Sequence, residues 1–226
     1  MSEGQKRTVA LINTTLNAVG PMMNYLRKNE PLLKAVPYLD GYLLEKINKD
    51  GGVTDDTMGR VLDMIVNACR DGAEGVILTC TVMSPYQTAL RQLFSIPVIC
   101  ADATMLDQAS MRPGKTAILC TFEGTVEITR NEYFICCGRN GAKKEADMFT
   151  LSDAFRAIQA GNLEESNRLI RGKITELDEK YDKIILAQIS MSGAAEGLTT
   201  RHAQVYSSPR CAVEEFWNAV NGREAG

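Results

Sequence analysis

Two apolar runs in this chain end on polar residues at matching places. GVILTCTVMSP carries Cys80, and IILAQISMSG carries Gln188, 108 residues later. A thiol can exchange a proton with carbon, or add to an electrophilic carbon, once part of it is thiolate. A carboxamide has no proton to give in the useful range, but its NH₂ can hold a carboxylate or a developing oxyanion. Cys80 lies between Thr79 and Thr81 and shortly before Ser84-Pro85. A helix start there would bring backbone N–H groups and the positive end of a dipole to the thiol, lowering its pKa and favouring a bound carboxylate. The other six cysteines are expected to be small buried hydrophobes.

Elements that could position this pair are readable in the pattern. Short β-branched runs alternate with longer helical patterns, which predicts βαβ units and parallel sheets. The runs are TVALIN (8–13), GVILTC (75–80), IPVICA (96–101), TAILCT (116–121), KIILAQ (183–188) and AQVYSS (203–208). Helices are expected in PMMNYLRKN after Pro21, in LLEKI, in TDDTMGRVLDMIVNACRDG from Thr54 to Gly72, and in SPYQTALRQLF behind a Ser-Pro cap. Two more are expected in SDAFRAIQAG and NLEESNRLIRGKITELDEKY. Asn13 and Cys120 are 107 residues apart, nearly the offset of Cys80 and Gln188. A period this long suits a duplicated half rather than a solenoid.

The expected fold is therefore α/β: two similar Rossmann-like lobes with parallel sheets, related by a pseudo-twofold axis. Their boundaries are 1–107 and 108–226, and the last helix is free to cross back. Ligands of open parallel sheets sit beyond the carboxyl ends of the strands, so the expected site is the interlobe cleft. Residues just past four strand ends would converge there. Asn13, Thr14, Thr81, Thr121, Thr125 and Ser190 would anchor carboxylates, and Val82, Met83, Ile189 and Met191 would form the walls. Three further residues have structural expectations. Asp40 should cap the LLEKI helix, His202 should lie at the surface or a hinge, and Arg210 suits either an acidic substrate or the surface.

Composition excludes several classes. The 226 residues are 45% hydrophobic and 23% charged with a net charge of −3, so neither nucleic acid nor a membrane surface is an expected partner. No run approaches a membrane span, and MSEGQKR leads directly toward the first strand. Scattered cysteines without CxxC pairs point to a reduced, cytoplasmic setting. Neither GxGxxG nor GxxxxGK[ST] occurs and there is a single histidine, so no cofactor and no metal are expected.

GGVT, GAEGVILTCT, IPVICADATM, YDKIILAQISM and YSSPRCAVE together resemble the aspartate/glutamate/hydantoin racemase superfamily over nearly the whole chain. Maleate isomerases and arylmalonate decarboxylases belong to the same superfamily. The resemblance implies a two-lobed fold, a homo-oligomer, and cofactor-independent proton chemistry beside the carboxylate of a small acid. Racemases of this group use two cysteines on opposite faces of the substrate carbon. Cys80 matches the first, and Gln188 stands where the second belongs. One-thiol chemistry is the expectation that follows, with Cys80 as acid/base or nucleophile in a racemase- or isomerase-like enzyme. A one-cysteine decarboxylase or lyase and a catalytically silent carboxylate-binding protein are the alternatives.

Overall fold

The structure, a computed structural model, describes residues 6–224, so most of the MSEGQKR lead-in lies outside the described residues. The chain forms two compact units. One holds the chain up to Ala101 and again from Ala212, and the other holds Asp102–Cys211.

The first unit runs β1 (Arg7–Asn13), α1 (Leu16–Asn29), β2 (Leu33–Leu39), α2 (Leu43–Lys49), α3 (Asp55–Arg70) and β3 (Gly75–Leu78). A 3₁₀ turn (Thr81–Tyr86), α4 (Gln87–Leu93) and β4 (Val98–Cys100) follow. The second unit runs α5 (Ala101–Met111), β5 (Thr116–Cys120), a 3₁₀ turn (Glu123–Thr125), α6 (Val126–Arg139), β6 (Asp147–Thr150), α7 (Ser152–Gln159) and α8 (Leu163–Leu177). It closes with β7 (Lys183–Leu186), a 3₁₀ turn (Ile189–Ala194) and β8 (Gln204–Ser207). Helix α9 (Ser208–Glu224) begins in the second unit and continues in the first.

Each unit has one four-stranded, all-parallel sheet, in the order β2-β1-β3-β4 in the first and β6-β5-β7-β8 in the second. The α/β class and the repeated half are thus present in full. The two sheets have the same connectivity, and the repeat extends to individual hydrogen bonds. Thr79 N donates to Ile12 O (3.1 Å), as Ala187 N donates to Leu119 O (2.9 Å). Asp40 N donates to Asn13 O (3.1 Å), as Leu151 N donates to Cys120 O (2.7 Å).

The inner strands form because parallel sheets are covered on both faces, so every position of a central strand profits from an apolar side chain. In the second unit, Ile118, Cys120, Ile185 and Ala187 face one core cluster, with Tyr133 and Cys137. Ala117, Leu119, Ile184 and Leu186 face the other, with Ile170 and Ile174. This is the two-residue alternation of a strand buried twice over. Cys100, Cys120, Cys136, Cys137 and Cys211 are buried and act as small apolar side chains, and none of the seven cysteines is in a disulfide.

Several boundaries differ from expectation. α1 starts at Leu16, five residues before Pro21, which sits inside the helix at the cost of one main-chain hydrogen bond. Ser84-Pro85 lies within a 3₁₀ turn, and α4 begins only at Gln87. Pro85 disfavours helical φ/ψ at Ser84, which suits a tight turn better than a first helical turn. β3 and β7 stop two residues before Cys80 and Gln188, because the ladder ends with the N–H groups of Thr79 and Ala187. Thr54 does cap α3, in a reciprocal box with Thr57. Asp40 accepts from the N–H of Tyr42 just ahead of α2 and holds Arg60 at 2.6 Å. Hydrogen bonding from Arg60 lowers its pKa.

Asp178, one residue past α8, fixes the entry to β8. Its carboxylate accepts the N–H groups of Arg201 (2.7 Å), His202 (3.1 Å) and Ala203 (2.8 Å). These bonds, led by the one from Arg201, lower its pKa. Asp178→Ala is expected to cost about 2–3 kcal/mol at neutral pH, since charge-assisted bonds to main chain are lost and three donors are orphaned. A depressed carboxylate stabilises the fold fully above the unfolded value of 3.8 and loses that contribution as pH falls through the lower folded value. Urea titrations of wild type and variant should therefore differ by a constant amount from pH 5 to 7 and converge below pH 4.

His202 is exposed, with Nε2 3.1 Å from Asp182 Oδ1, and Arg210 is exposed on α9. Among the described residues no helix is long and apolar enough to cross a membrane.

Candidate active site

Cys80 and Gln188 occupy equivalent places to the level of backbone angles. Cys80 (φ −105, ψ 119) and Gln188 (φ −116, ψ 144) are each the last extended residue before a six-residue 3₁₀ turn. Each carbonyl closes that turn, accepting from Met83 N (3.0 Å) and Met191 N (2.9 Å). Both side chains are half-buried. The turns are anchored from below. Met83 is 1% exposed, and Met191 is fully buried among Leu119, Ile174 and Leu186. These two methionines were expected as pocket walls. Met191 instead packs into the core of its own unit, because the first turn of a 3₁₀ segment after a buried strand folds back over that strand. Ile189 is also buried, at 2%, while Val82 and Ser190 are half-buried.

In the first unit, the strand-end residues form a buried knot. Asn13 is fully buried and its Nδ2 donates to Leu11 O (2.8 Å) and Tyr38 O (3.2 Å). Its Oδ1 accepts from the Thr79 hydroxyl (2.8 Å), which also reaches Ile12 O (3.2 Å). Both amide donors of Asn13 are therefore spent within β1 and on β2, and its oxygen makes the link to Thr79 past the end of β3. Thr14 and Thr81 follow on the two chains, 3% and 6% exposed.

In the second unit, the corresponding residues form a chain of side-chain bonds around Gln188. Oε1 accepts the Thr121 N–H (2.8 Å) and the Thr121 hydroxyl (3.3 Å). Nε2 donates to Thr125 Oγ1 (2.5 Å), whose hydroxyl donates to Phe122 O (2.7 Å). A main-chain N–H can only donate, so the amide oxygen has to be the atom at Thr121, and the amide orientation follows. Thr125 is 8% exposed. Cys120 ends β5 in this cluster and is fully buried. Burial pushes its thiol up to about 11, against the hydrogen bonds of Gln188 and Thr125, which lower it. Cys120 is thus protonated at neutral pH and faces the core.

Arg171 of α8 was missed in the sequence. Its guanidinium donates to the carbonyls of Ala194 (3.0 Å), Gly193 (3.3 Å) and Glu196 (2.8 Å), tying down the far end of the turn that Gln188 begins. The 20-odd residues between them in sequence hide this link; only the turn's loose carbonyls, needing donors, could have suggested it.

The geometry now permits comparison with known proteins. Residues 60–216 match the family model described as Asp/Glu/Hydantoin racemase. Three solved structures illustrate the shared fold. Aspartate racemase from Picrophilus torridus matches at TM-score 0.72 and 11% identity, covering 95% of this chain and 94% of that one. Allantoin racemase from Klebsiella pneumoniae matches at TM-score 0.71 and 19% identity, with coverage of 96% and 89%. Glutamate racemase from Bacillus anthracis matches at TM-score 0.70 and 12% identity, with coverage of 97% and 83%. A comparison with curated protein sequences gave no match. The family model covers most of the chain, and it includes both the strand that leads to Cys80 and the strand that leads to Gln188: this chain belongs to the Asp/Glu/hydantoin racemase family.

Proposed function

We propose that this chain is a cofactor-independent, racemase-like enzyme of the cytoplasm, acting as a homo-oligomer at the carbon next to the carboxylate of a small acid. Cys80 is its acid/base or nucleophile. Gln188 replaces the second thiol and acts as a hydrogen-bond donor through its carboxamide, which also bonds Thr125. Thr14, Thr81, Thr121, Thr125 and Ser190 supply further N–H and hydroxyl donors. Asn13 holds the strand ends in place, and Val82 and Ile189 contribute apolar surface. The observation that carries this reading is the equivalence of Cys80 and Gln188: the same extended backbone, the same following turn, one ionisable side chain and one that is not.

A single proton-transfer group serves one face of a carbon. Incubation with small α-substituted carboxylic acids in D₂O should therefore place deuterium at the α-carbon with retained configuration, read by proton NMR and chiral chromatography. Label together with inverted product would point to a second acid and refute the one-thiol assignment. Binding without label would favour the silent carboxylate-binding protein.

A further inference from the structure

The turns that open on Cys80 and on Gln188 are held by different means. From Ser192 to Glu196 the second turn and its exit offer five successive carbonyls, and each has a donor. The N–H groups of Ala195 and Leu198 take the carbonyls of Ser192 (3.0 Å) and Ala195 (3.2 Å). Arg171 of α8 takes the other three, with Nε on Ala194 O and Nη2 on Gly193 O and Glu196 O. A guanidinium suits the task, since its rigid fork of donors reaches several acceptors from one stem. The same helix lies directly against the turn. A methyl group on Gly193 would stand 3.1 Å from Asn167 Nδ2, and Ile170 and Ile174 share a core cluster with Met191 and Ala194.

The equivalent helix of the first unit is α3. Its buried positions Thr57, Val61, Ile65 and Ala68 match Ser166, Ile170, Ile174 and Leu177 of α8, each 109 residues later. In that register Leu62 stands for Arg171 and Met58 for Asn167, and neither side chain can donate a hydrogen bond. The turn after Cys80 carries Pro85, whose ring fixes φ covalently, and Met83 O accepts from the Cys100 thiol at 3.7 Å.

A carboxamide contributes only through the direction of its donor, and that direction depends on the backbone that carries it. Gln188 O closes the turn with Met191 N (2.9 Å), while its side chain spans Thr121 and Thr125. A turn free to rock would carry the Cα of Gln188 with it and break those side-chain bonds. We infer that Arg171 is a positioning residue for Gln188: by clamping 193–196 it fixes the turn on which the hydrogen bonds of the carboxamide depend. This rests on the proposed role of Gln188 as a donor.

The test reads the Gln188 carboxamide in ¹⁵N-labelled full-length protein by NMR, its signal assigned by its loss in Gln188→Ala. In the wild type the two Nε2 protons should be well separated in shift and slow to exchange with water. Arg171→Ala should move both toward the positions of a free glutamine side chain and speed their exchange about tenfold or more. Arg171→Lys keeps the charge and the stem but not the fork. It should give an intermediate pair, and it decides the matter if the alanine variant does not fold. A residue that merely stabilises the unit would lower the urea midpoint and leave this pair in place; that result overturns the inference. In deuterium exchange, Arg171→Ala and Gln188→Ala should each lower the rate, and the double variant no further than Gln188→Ala alone. Additive losses overturn it as well. A wild type without exchange refutes the proposed chemistry and leaves the carboxamide signals to decide this inference.

Discussion

Replacing Cys80 with serine should lower deuterium incorporation at the substrate carbon by about 10²–10⁴-fold, the usual contribution of a positioned proton-transfer group. Serine keeps the size and the extended backbone that starts the 3₁₀ turn, so the turn and its Met83 anchor should persist. Its hydroxyl, however, has a pKa too high to exchange protons with carbon near neutrality. The loss should fall on kcat rather than on KM, because the donors proposed to hold the carboxylate are main-chain and threonine groups. Urea unfolding of the variant should match the wild type within about 0.5 kcal/mol, as expected for a half-buried, near-isosteric change. Retention of full exchange would remove Cys80 from the reaction.

The largest stability effect is expected at Lys183. This first residue of β7 is 2% exposed, and its ammonium lies in the core of the second unit. Nζ donates to Ala109 O (3.1 Å) and Arg112 O (2.6 Å), at the end of α5, and to Tyr133 Oη (3.1 Å). The Tyr133 hydroxyl is also 2.9 Å from Thr116 Oγ1. Three donors meet three acceptors, two of them carbonyls that a helix leaves unsatisfied where it ends. Burial lowers the lysine pKa and pushes Tyr133 up to about 12, so the phenol stays protonated. Lys183→Met fills similar volume and removes the cost of burying a charge, but orphans the carbonyls and the phenol. A net loss of about 2–4 kcal/mol is expected, measurable as a lower urea midpoint with an unchanged slope. A neutral outcome would mean that water replaces the ammonium.

The legible parts of the sequence were those where burial on both sides leaves one solution. β1, β3, β5 and β7 read as apolar runs because each lies inside a sheet, and the offset between Cys80 and Gln188 survived folding as a shared turn. β2 and β6 are edge strands that were missed because they leave too few buried positions for an apolar run. β2 is half-exposed along most of its length and tolerates Pro37, and β6 has four residues, none of them buried. α5 and α6 were missed because their buried stripes are partly polar. Asp102 and Ser110 lie on that of α5 and Thr129 on that of α6, while Ile135 points outward. In the site, residue types and places were readable, but the bonds among them were not. The Asn13–Thr79 and Gln188–Thr121 contacts join side chains 66 and 67 residues apart and exist only once strands have paired.

The course of α9 has a consequence during synthesis. Its later residues, Val213, Phe216 and Val220, are buried in the unit that the N-terminal residues begin. Phe216 lies so close to Gly75, the first residue of β3, that a methyl group there would meet its ring at 2.8 Å. Domains generally fold as they leave the ribosome, N-terminal first. Here the first-born unit waits, with that face uncovered, until the segment that follows the second unit is released. Residues 102–211 hold two core clusters made wholly of their own side chains and can finish ahead of the part translated before them.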